Sequence, residues 1–319
     1  MSVFSVVNAL IAGANGRFPF LGTARPTALT STIPKVMPRT KPAYNAETPF
    51  SFDPSRPLDA LRRRLVELAE PSYRAFVGKL LPGVDVILGV RVPTLRSLAR
   101  QIANDCGAAF LQAVLGVPSR ELCDTMPPLQ PSSDANDVAP NRCVFESCEE
   151  RLVVGFVVAE TRLDFDARLD AIAAFVPAID SWAVCDSFSG SLRVPNAFRD
   201  EFWRFLDFCA QSPRPFEVRF AVVATLNHFL DASYLDAVFE RADAVATRRL
   251  GEYYVDMSLA WLVAESFIRF PDATLKFLRQ NNFDDFTFNK SLQKIVESRR
   301  VDEATKAEIR RLKRPRRAH

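Results

Sequence analysis

Residues 58–68 read LDALRRRLVEL, and this stretch sets the pattern for most of the chain. Its leucines stand at positions 58, 61, 65 and 68, a spacing that puts apolar side chains on one face of an α-helix. Similar spacing recurs through the following residues, whereas strand-like alternation is rare. The sequence therefore predicts a protein built from helices.

Further helices are predicted where apolar periodicity lies between breaks that contain proline, glycine or aspartate. Their starts are marked by Pro93, by Asp164 and by Pro195. The predicted helices lie near residues 72–81, 93–105, 145–160, 166–175, 196–210, 216–230, 232–244, 251–269, 271–280, 287–299 and 302–313. Units such as 166–210, 216–244 and 251–280 each suggest a helix pair of similar size, which predicts an all-α stack or a helical-repeat solenoid with a concave face.

The composition is that of a globular protein of one large or two small domains. Of its 319 residues 48% are hydrophobic and 25% are charged, and the net charge of +3 is too small to establish a polyanionic partner. No apolar run approaches the roughly 18 residues that a membrane span needs, so we expect no membrane association.

Several classes of chemistry lack the residues that they need. The chain has two histidines, His228 and His319, and six cysteines without a CxxC pair, which disfavours metal sites, disulfide frameworks and histidine-based triads. It has no Walker loop and no GxGxxG motif, so no nucleotide cofactor is indicated. We expect an intracellular protein with reduced thiols, no metal and no organic cofactor.

The sequence divides into a domain at 58–313, a Pro/Ser/Asp-rich insertion at 117–142, an N-terminal extension at 1–57 and a basic tail at 314–319. The extension has no acidic residue before Glu47 and is rich in hydroxyl side chains, which fits a transit peptide or a disordered tail. The basic tail fits a nuclear signal, an arm on the DNA backbone or a solvated end. Nucleus, mitochondrion and other organelles thus all remain open.

Trp182 and Asp186 stand four residues apart in SWAVCDSF, residues 181–188. If this segment is helical, the indole and the carboxylate lie side by side on one face. A carboxylate beside an aromatic plate suits work on a cationic, electron-poor group. Asp186 could instead serve as a helix cap or an ion-pair partner, and Trp182 could belong to the core.

Five separated motifs occur in the order in which they occur in a known family. They are ILGVRVPTLR at 87–96, SWAVCDSF at 181–188, EVRFAVV at 217–223, YYVDMSLAW at 253–261 and DFTFNKSLQKI at 285–295. Together they resemble the AlkD-like DNA alkylation repair family over about residues 60–313. Several motifs in the right order are far more specific than any single one.

This resemblance implies a HEAT-like-repeat solenoid whose concave basic groove faces duplex DNA. It implies a monofunctional glycosylase that excises N3- or N7-alkylated purines without swinging the base into a deep pocket. The sequence gives no sign of oligomerisation, so we expect a monomer. Carried over by motif, the carboxylate is Asp186, the two indoles are Trp182 and Trp261, and the arginine is Arg219, placed on a phosphate oxygen. Trp261 could also be core, and Arg219 could pair with Glu217.

Other cationic and aromatic side chains are candidates for contact with DNA. They are Arg91, Arg96, Tyr253, Tyr254, Lys290 and Lys294. For the charged members a solvated face is an equally good interpretation, and the two tyrosines could simply pack.

Two positions depart from the family pattern. Asp256 stands where relatives often carry lysine, and Ala264 stands where a well-known branch carries arginine. These departures, with the basic tail, favour a rival hypothesis in which the solenoid binds DNA without chemistry. A third hypothesis is a protein-interaction scaffold.

Overall fold

The computed structural model describes residues 49–117 and 144–315. In these ranges the protein has thirteen α-helices and two short 3-10 turns, and it has no β-strand. The prediction of an all-α fold is therefore confirmed. The predicted insertion at 117–142 and most of the predicted extension and tail lie outside the described residues, so the domain boundaries stay predictions.

The helices follow one another with short connections. They are α1 Asp59–Glu67, α2 Pro71–Gly78, α3 Val92–Leu115, α4 Cys148–Glu160, α5 Phe165–Phe175, α6 Trp182–Ser189, α7 Arg199–Ala210, α8 Pro215–His228, α9 Leu235–Thr247, α10 Tyr253–Arg269, α11 Pro271–Gln280, α12 Asp285–Glu297 and α13 Glu303–Arg311.

Polar caps and prolines fix where many helices begin. The side chains of Ser147, Asp164, Ser181, Asp284 and Asp302 each accept a hydrogen bond from a backbone N–H in the first turn of the following helix. Proline occupies the first or second position of α2, α3, α8 and α11, where its missing N–H costs no hydrogen bond.

The even-numbered helices from α4 to α12 form a continuous inner row, in which each packs on the next. The odd-numbered helices α5, α7, α11 and α13 each pack against a member of this row. Helix α8 lies near its centre and is buried on all sides from Glu217 to Leu226. This arrangement is consistent with a helical-repeat fold, in which each unit covers the apolar face of its neighbours.

The segment before α3 is held by a buried carboxylate. Glu149 accepts hydrogen bonds from the backbone N–H groups of Leu88, Gly89 and Val90 at 3.0, 2.7 and 3.3 Å. Gly89 has φ +92°, and a Cβ there would lie 2.6 Å from the carbonyl oxygen of Glu70. Residues 87–90, the ILGV part of the first motif, therefore link the first helices of the chain to α4.

Two predicted helical segments differ from the structure. The helix predicted at 93–105 ends at a kink, where the backbone of Cys106 is not helical. A second helical stretch then continues to Leu115, and the sequence did not predict it. Gly107 permits the resumed helix to pack closely, since a Cβ there would meet the hydroxyl of Thr161 at 2.5 Å. The unit at 166–210 holds three α-helices rather than a pair, because α6 forms between the two predicted ones.

Candidate functional site

Helix α6 presents Trp182 and Asp186 on one face. It begins at Trp182 because the hydroxyl of Ser181 accepts a hydrogen bond from Val184 N at 3.5 Å. Trp182 and Asp186 are four positions apart, so both side chains point to the same side of the helix. Trp182 is half-buried, whereas Asp186 is only 4% exposed.

Asp186 is held by Arg219 of α8 through two hydrogen bonds. Arg219 Nε donates to Oδ1 at 3.0 Å, and Nη2 donates to Oδ2 at 2.8 Å. The third nitrogen, Nη1, donates to the backbone carbonyl of Tyr254 at 2.5 Å. One guanidinium therefore joins α6, α8 and α10 at their facing sides.

Asp186 stabilises the positive charge of Arg219. Burial alone would lower the pKa of this guanidinium, but the negative charge of Asp186 and its hydrogen bonds outweigh burial and leave the pKa above its ordinary value. The side chains of Arg219 and Asp186 are 7% and 3% exposed. The pair is thus a buried, fully formed ion pair of the kind that orients a carboxylate rigidly.

Trp182 is fixed by a hydrogen bond and borders a cavity. Its Nε1 donates to the carbonyl oxygen of Leu80 at 3.3 Å. The adjoining cavity has a volume of about 200 Å³, and its walls include Phe216 and Tyr254. Neither Asp186 nor Arg219 is among the lining residues.

Helix α10 carries the other aromatic candidates. Tyr254 and Trp261 are seven residues apart and so share one helix face. Tyr253 is 55% exposed, and its ring lies 5.3 Å from that of Tyr254. Trp261 is partly buried and packs against the core. The structure therefore joins Tyr254 directly to Arg219, whereas Trp261 lies seven positions further along α10, about 10 Å by the rise of a helix.

The two lysine candidates on α12 differ in their surroundings. Burial lowers the pKa of Lys294 to about 8, and the positive charge of Arg219 lowers it further. The negative charges of Glu297 and Asp186 act in the opposite direction. Lys294 thus lies within electrostatic range of the Asp186–Arg219 pair. Lys290 donates to the side chain of Gln293 at 3.1 Å.

Arg91 and Arg96 are each held by contacts with other side chains. Arg91 binds the carboxylate of Glu70 through Nε at 2.8 Å and Nη2 at 2.9 Å. Arg96 stacks on the ring of Phe156 at 4.1 Å, and its Nη1 donates to Ser191 Oγ at 2.8 Å. These contacts give both arginines a part in joining neighbouring segments.

The two departures from the family pattern are not freely exposed. Asp256 is half-buried, and burial first, then the charge of Asp284, raises its pKa to about 6 against the opposing influences of Thr287 and Arg249. Ala264 is 1% exposed. In this structure neither position is a simple solvent-facing site.

Phe216 and Asp180 line the cavity beside Trp182, and neither was predicted from the sequence as a site residue. The sequence did contain a pattern that could have indicated Phe216. Helices α8 and α10 each carry an aromatic residue at their second position, Phe216 and Tyr254. The rings of these two residues lie 5.7 Å apart. Asp180 carried no comparable signal.

Across residues 49–117 and 144–315, no group of three or more histidine, cysteine, aspartate or glutamate side chains is placed to hold a metal ion. Over the same ranges, no helix combines the length and the apolar character needed to cross a membrane.

Comparison with known proteins gave one match. A family model described as "DNA alkylation repair enzyme" matches residues 134–295, about half of the chain. The matched range contains Trp182, Asp186, Arg219 and Trp261 but excludes Arg91 and Arg96. No curated protein and no solved structure matched the chain.

Proposed function

Because the chain belongs to the DNA alkylation repair enzyme family, we propose that it is a DNA glycosylase that excises N3- or N7-alkylated purines from duplex DNA. Family membership supports the broader statement that the protein acts in the repair of alkylated DNA and that DNA is its partner. The substrates 3-methyladenine and 7-methylguanine, hydrolysis without metal or organic cofactor, and a monomeric state belong to the proposal.

The chemistry of the substrate limits what the protein must supply. An alkyl group at N3 or N7 makes the purine cationic and weakens its bond to C1′ of the deoxyribose. The base leaves with the bonding electron pair, and positive charge develops on the sugar. Water then adds its oxygen to C1′ and releases a proton. Catalysis therefore needs a fixed negative charge near C1′ and a place for one water molecule.

Asp186 meets that need because its position is set before the substrate arrives. The two hydrogen bonds from Arg219 occupy about one lone-pair site on each carboxylate oxygen, and each oxygen has about two. The remaining lone pairs can face the sugar cation and accept a proton from water. A preorganised charge stabilises the transition state without reorganising at the moment of reaction.

Arg219 acts in this proposal mainly as a positioning residue. Its hydrogen bonds to Asp186 and to the carbonyl of Tyr254 place the carboxylate relative to α10. The sequence predicted that Arg219 holds a phosphate oxygen. A phosphate contact would have to use a further N–H of the same guanidinium, since arginine carries five N–H donors in all.

The remaining candidates form the proposed surface for DNA. Trp182 and Trp261 contact the cationic nucleotide, and each cation–π contact contributes about 0.5–2 kcal/mol. Lys290, Lys294, Tyr253 and Tyr254 lie at the same side of α10 and α12 in this proposal and bind the backbone within a concave basic groove. Arg91 and Arg96 contribute at its far end if DNA displaces or extends their local contacts.

The observation that carries the proposal is a carboxylate fixed by a buried arginine, one helical turn from an indole. The test is release of methylated base from duplex DNA by the purified protein and by an Asp186→Asn variant. The matched control is Asp207→Asn, because Asp207 also pairs with a buried arginine, Arg241, beside Trp203. We expect release by the parent and by the control variant, and a loss of on the order of a hundredfold in Asp186→Asn.

One observation favours a second candidate function, a DNA-binding protein without chemistry. Asp186 is 4% exposed, and both of its oxygens are already bonded to Arg219. A protein that never opens this pair would bind alkylated DNA in a salt-sensitive manner and release no base. The same assay, with binding measured in parallel, separates the two functions.

A further inference from the structure

The first residue of the basic tail, Arg314, is bound to α12. Its backbone N–H donates to Asn289 Oδ1 at 2.9 Å, and its carbonyl oxygen accepts a hydrogen bond from Asn289 Nδ2 at 3.0 Å. The guanidinium stacks on the ring of Phe288 at 3.8 Å and donates to the carbonyl oxygen of Phe283 at 2.7 Å. It also lies 3.8 Å from a carboxylate oxygen of Asp285. A ring and a carboxylate of one helix therefore hold the first arginine of the tail.

The course of the chain leads the following residues toward the N-terminal end of α12. The connection at residues 298–302 lies at the C-terminal end of α12, and α13 then packs against that helix. At Arg314 the chain has returned to the level of Asn289, in the second turn of α12. Each further residue extends a chain by up to about 3.3–3.6 Å, so the first turn of α12 is within reach of Arg316 and Arg317.

Two aromatic rings are exposed at that end of α12. Phe286 of α12 and Tyr253 of α10 are 42% and 55% exposed, and their ring centroids are 6.1 Å apart. We call these two residues the aromatic patch. The Nζ of Lys290 lies 5.7 Å from the centre of the Phe286 ring, so this ring already faces a cation. Large apolar side chains that are exposed side by side mark a surface that binds another group.

The sequence around the aromatic patch is acidic. Residues 249–256 and 284–290 contain four acidic residues and two basic ones. The negative charges of Glu252 and Asp284 both act on the carboxyl group of Asp256, so these three side chains lie near one another. Guanidinium groups stack on aromatic rings and pair with carboxylates, and an acidic surface attracts them. The same surface repels the phosphates of DNA.

We propose that Arg316 and Arg317 dock on the aromatic patch and compete with DNA for Tyr253. This arrangement repeats, at the neighbouring ring of Phe286, what the structure shows for Arg314. Because Arg314 is anchored beside the patch, the short link keeps the two arginines at a high local concentration there. The docking is independent of the proposed function, whereas the competition rests on its statement that DNA is the partner.

The first experiment measures docking in the absence of DNA. Trypsin cleaves after accessible arginines, so mass spectrometry during limited digestion of the full-length protein gives the rate of cleavage after Arg316 and Arg317. The test variant is Phe286→Ala, and the matched control is Phe208→Ala, which removes a ring of 50% exposure from α7. We expect cleavage to be about threefold faster or more in Phe286→Ala, because proteolysis follows the population of the undocked tail. We expect the parent rate in Phe208→Ala.

A second variant leaves α12 intact. Glu252→Gln removes an exposed negative charge just before α10 and should also speed cleavage, whereas the exposed Glu201→Gln on α7 should not. Cleavage at the parent rate in both Phe286→Ala and Glu252→Gln overturns the proposal. An equal increase in the control variants overturns it as well, because the tail then does not distinguish this surface from another.

The second experiment measures competition with DNA. The probe is an unmodified duplex, and its affinity is compared between the parent and the double variant Arg316→Gln/Arg317→Gln. Competition predicts that the double variant binds about threefold more tightly, although it has lost two positive charges. Weaker binding, with a slope of log affinity against log salt reduced by about 2, would make the tail an arm on the DNA backbone and overturn the proposal. Equal binding overturns it too.

A double-mutant cycle joins the two experiments. If the arginines act through the aromatic patch, Phe286→Ala raises the affinity of the parent for DNA and adds nothing in the double variant. Effects that simply add overturn the proposal. Release of methylated base is measured on the same samples. A docked tail without base release contradicts the glycosylase alone, whereas base release with unchanged trypsin rates contradicts the docking alone.

Discussion

Asp186 of α6 and Arg219 of α8 form a two-point ion pair, with Nε 3.0 Å from Oδ1 and Nη2 2.8 Å from Oδ2. Their side chains are 3% and 7% exposed, so each charge depends on the other. Removing one partner of a buried pair leaves a buried charge that nothing compensates, whereas removing both does not. The pair is therefore a structural element as well as the centre of the proposed chemistry.

A double-mutant cycle tests the structural part of this account. We expect Asp186→Ala and Arg219→Ala each to lower the free energy of unfolding by about 3–5 kcal/mol. The double variant should be little less stable than either single one, because the coupled charges are lost together. Urea denaturation measures all three. Small single effects that simply add would show that the two residues are not coupled in the folded protein.

The pair Asp207–Arg241 provides the comparison for that cycle. Asp207 is 47% exposed, and Arg241 keeps hydrogen bonds to Thr225 and to the carbonyl of Trp203. Because water can replace much of what Asp207 supplies, Asp207→Ala should cost only about 1 kcal/mol. A loss of unfolding free energy as large as that of Asp186→Ala would contradict the expectation that the exposed Asp207 contributes less than the buried Asp186.

Asp256 predicts a dependence of stability on pH. Burial first, and then the charge of Asp284, raises its pKa from 3.8 to about 6. The folded protein therefore binds the proton of the Asp256 carboxyl group more tightly than the unfolded chain does. The stability that the protonated carboxyl group contributes is complete below pH 3.8 and is lost as the pH rises through about 6. Asp256→Asn avoids that loss.

We expect Asp256→Asn to be more stable than the parent at about pH 8 by about 1 kcal/mol, a value reduced for the partial exposure of the side chain. The advantage should shrink as the pH falls from about 6 toward 4. Melting temperatures across this range measure it. The exposed Asp272 of α11 is the control site, and an equal gain in Asp272→Asn would contradict a specific effect of Asp256.

Gly89 should tolerate no side chain. A Cβ at this position would lie 2.6 Å from the carbonyl oxygen of Glu70 and 2.7 Å from the backbone of Arg74, and φ is +92°. Gly89→Ala should therefore lower the free energy of unfolding by at least about 2 kcal/mol. Gly83→Ala is the matched control, since Gly83 has φ +85° but open space around it and should show only the conformational cost of about 1 kcal/mol. Similar losses in both variants would mean that the close approach at Gly89 is unimportant.

Lys294 predicts how binding to DNA varies with salt and pH. If it meets a phosphate, Lys294→Gln should reduce the slope of log affinity against log salt concentration by about 1. Burial lowers its pKa to about 8, so the lysine is charged below that pH and the parent should lose the same contact as pH rises through about 8. Lys306→Gln on α13 is the control and should leave the slope unchanged. An unaltered slope in Lys294→Gln would exclude Lys294 from the DNA surface.

The sequence predicted most of the fold because helix periodicity and capping are local. Pro93, Asp164 and Asp284 act within a few residues of the helix ends that they define. The continuation of α3 beyond Cys106 was not predictable in this way. It depends on Gly107 packing against Thr161, a contact between residues 54 positions apart.

The sequence indicated which residues form the candidate site, but it did not indicate that Asp186 pairs with Arg219. The spacing of Trp182 and Asp186 on one helix face could be read directly from the sequence. The partner of Asp186 could not, because Arg219 lies 33 residues away and follows Glu217, which offered a nearer partner. The cavity combines residues from the turn at 81–84 with residues from three helices, so no local pattern indicated it.

The most direct test of the central claim is a single-turnover measurement of base release from a duplex that contains one 7-methylguanine, with protein in excess. The account predicts release by the parent and by Asp207→Asn at similar rates, and a rate lower by on the order of a hundredfold or more in Asp186→Asn. Affinity for the duplex and melting temperature, measured on the same samples, confirm that the variant is folded and bound. Equal rates in Asp186→Asn and the parent, or no release by a folded parent that binds the duplex, would contradict the claim.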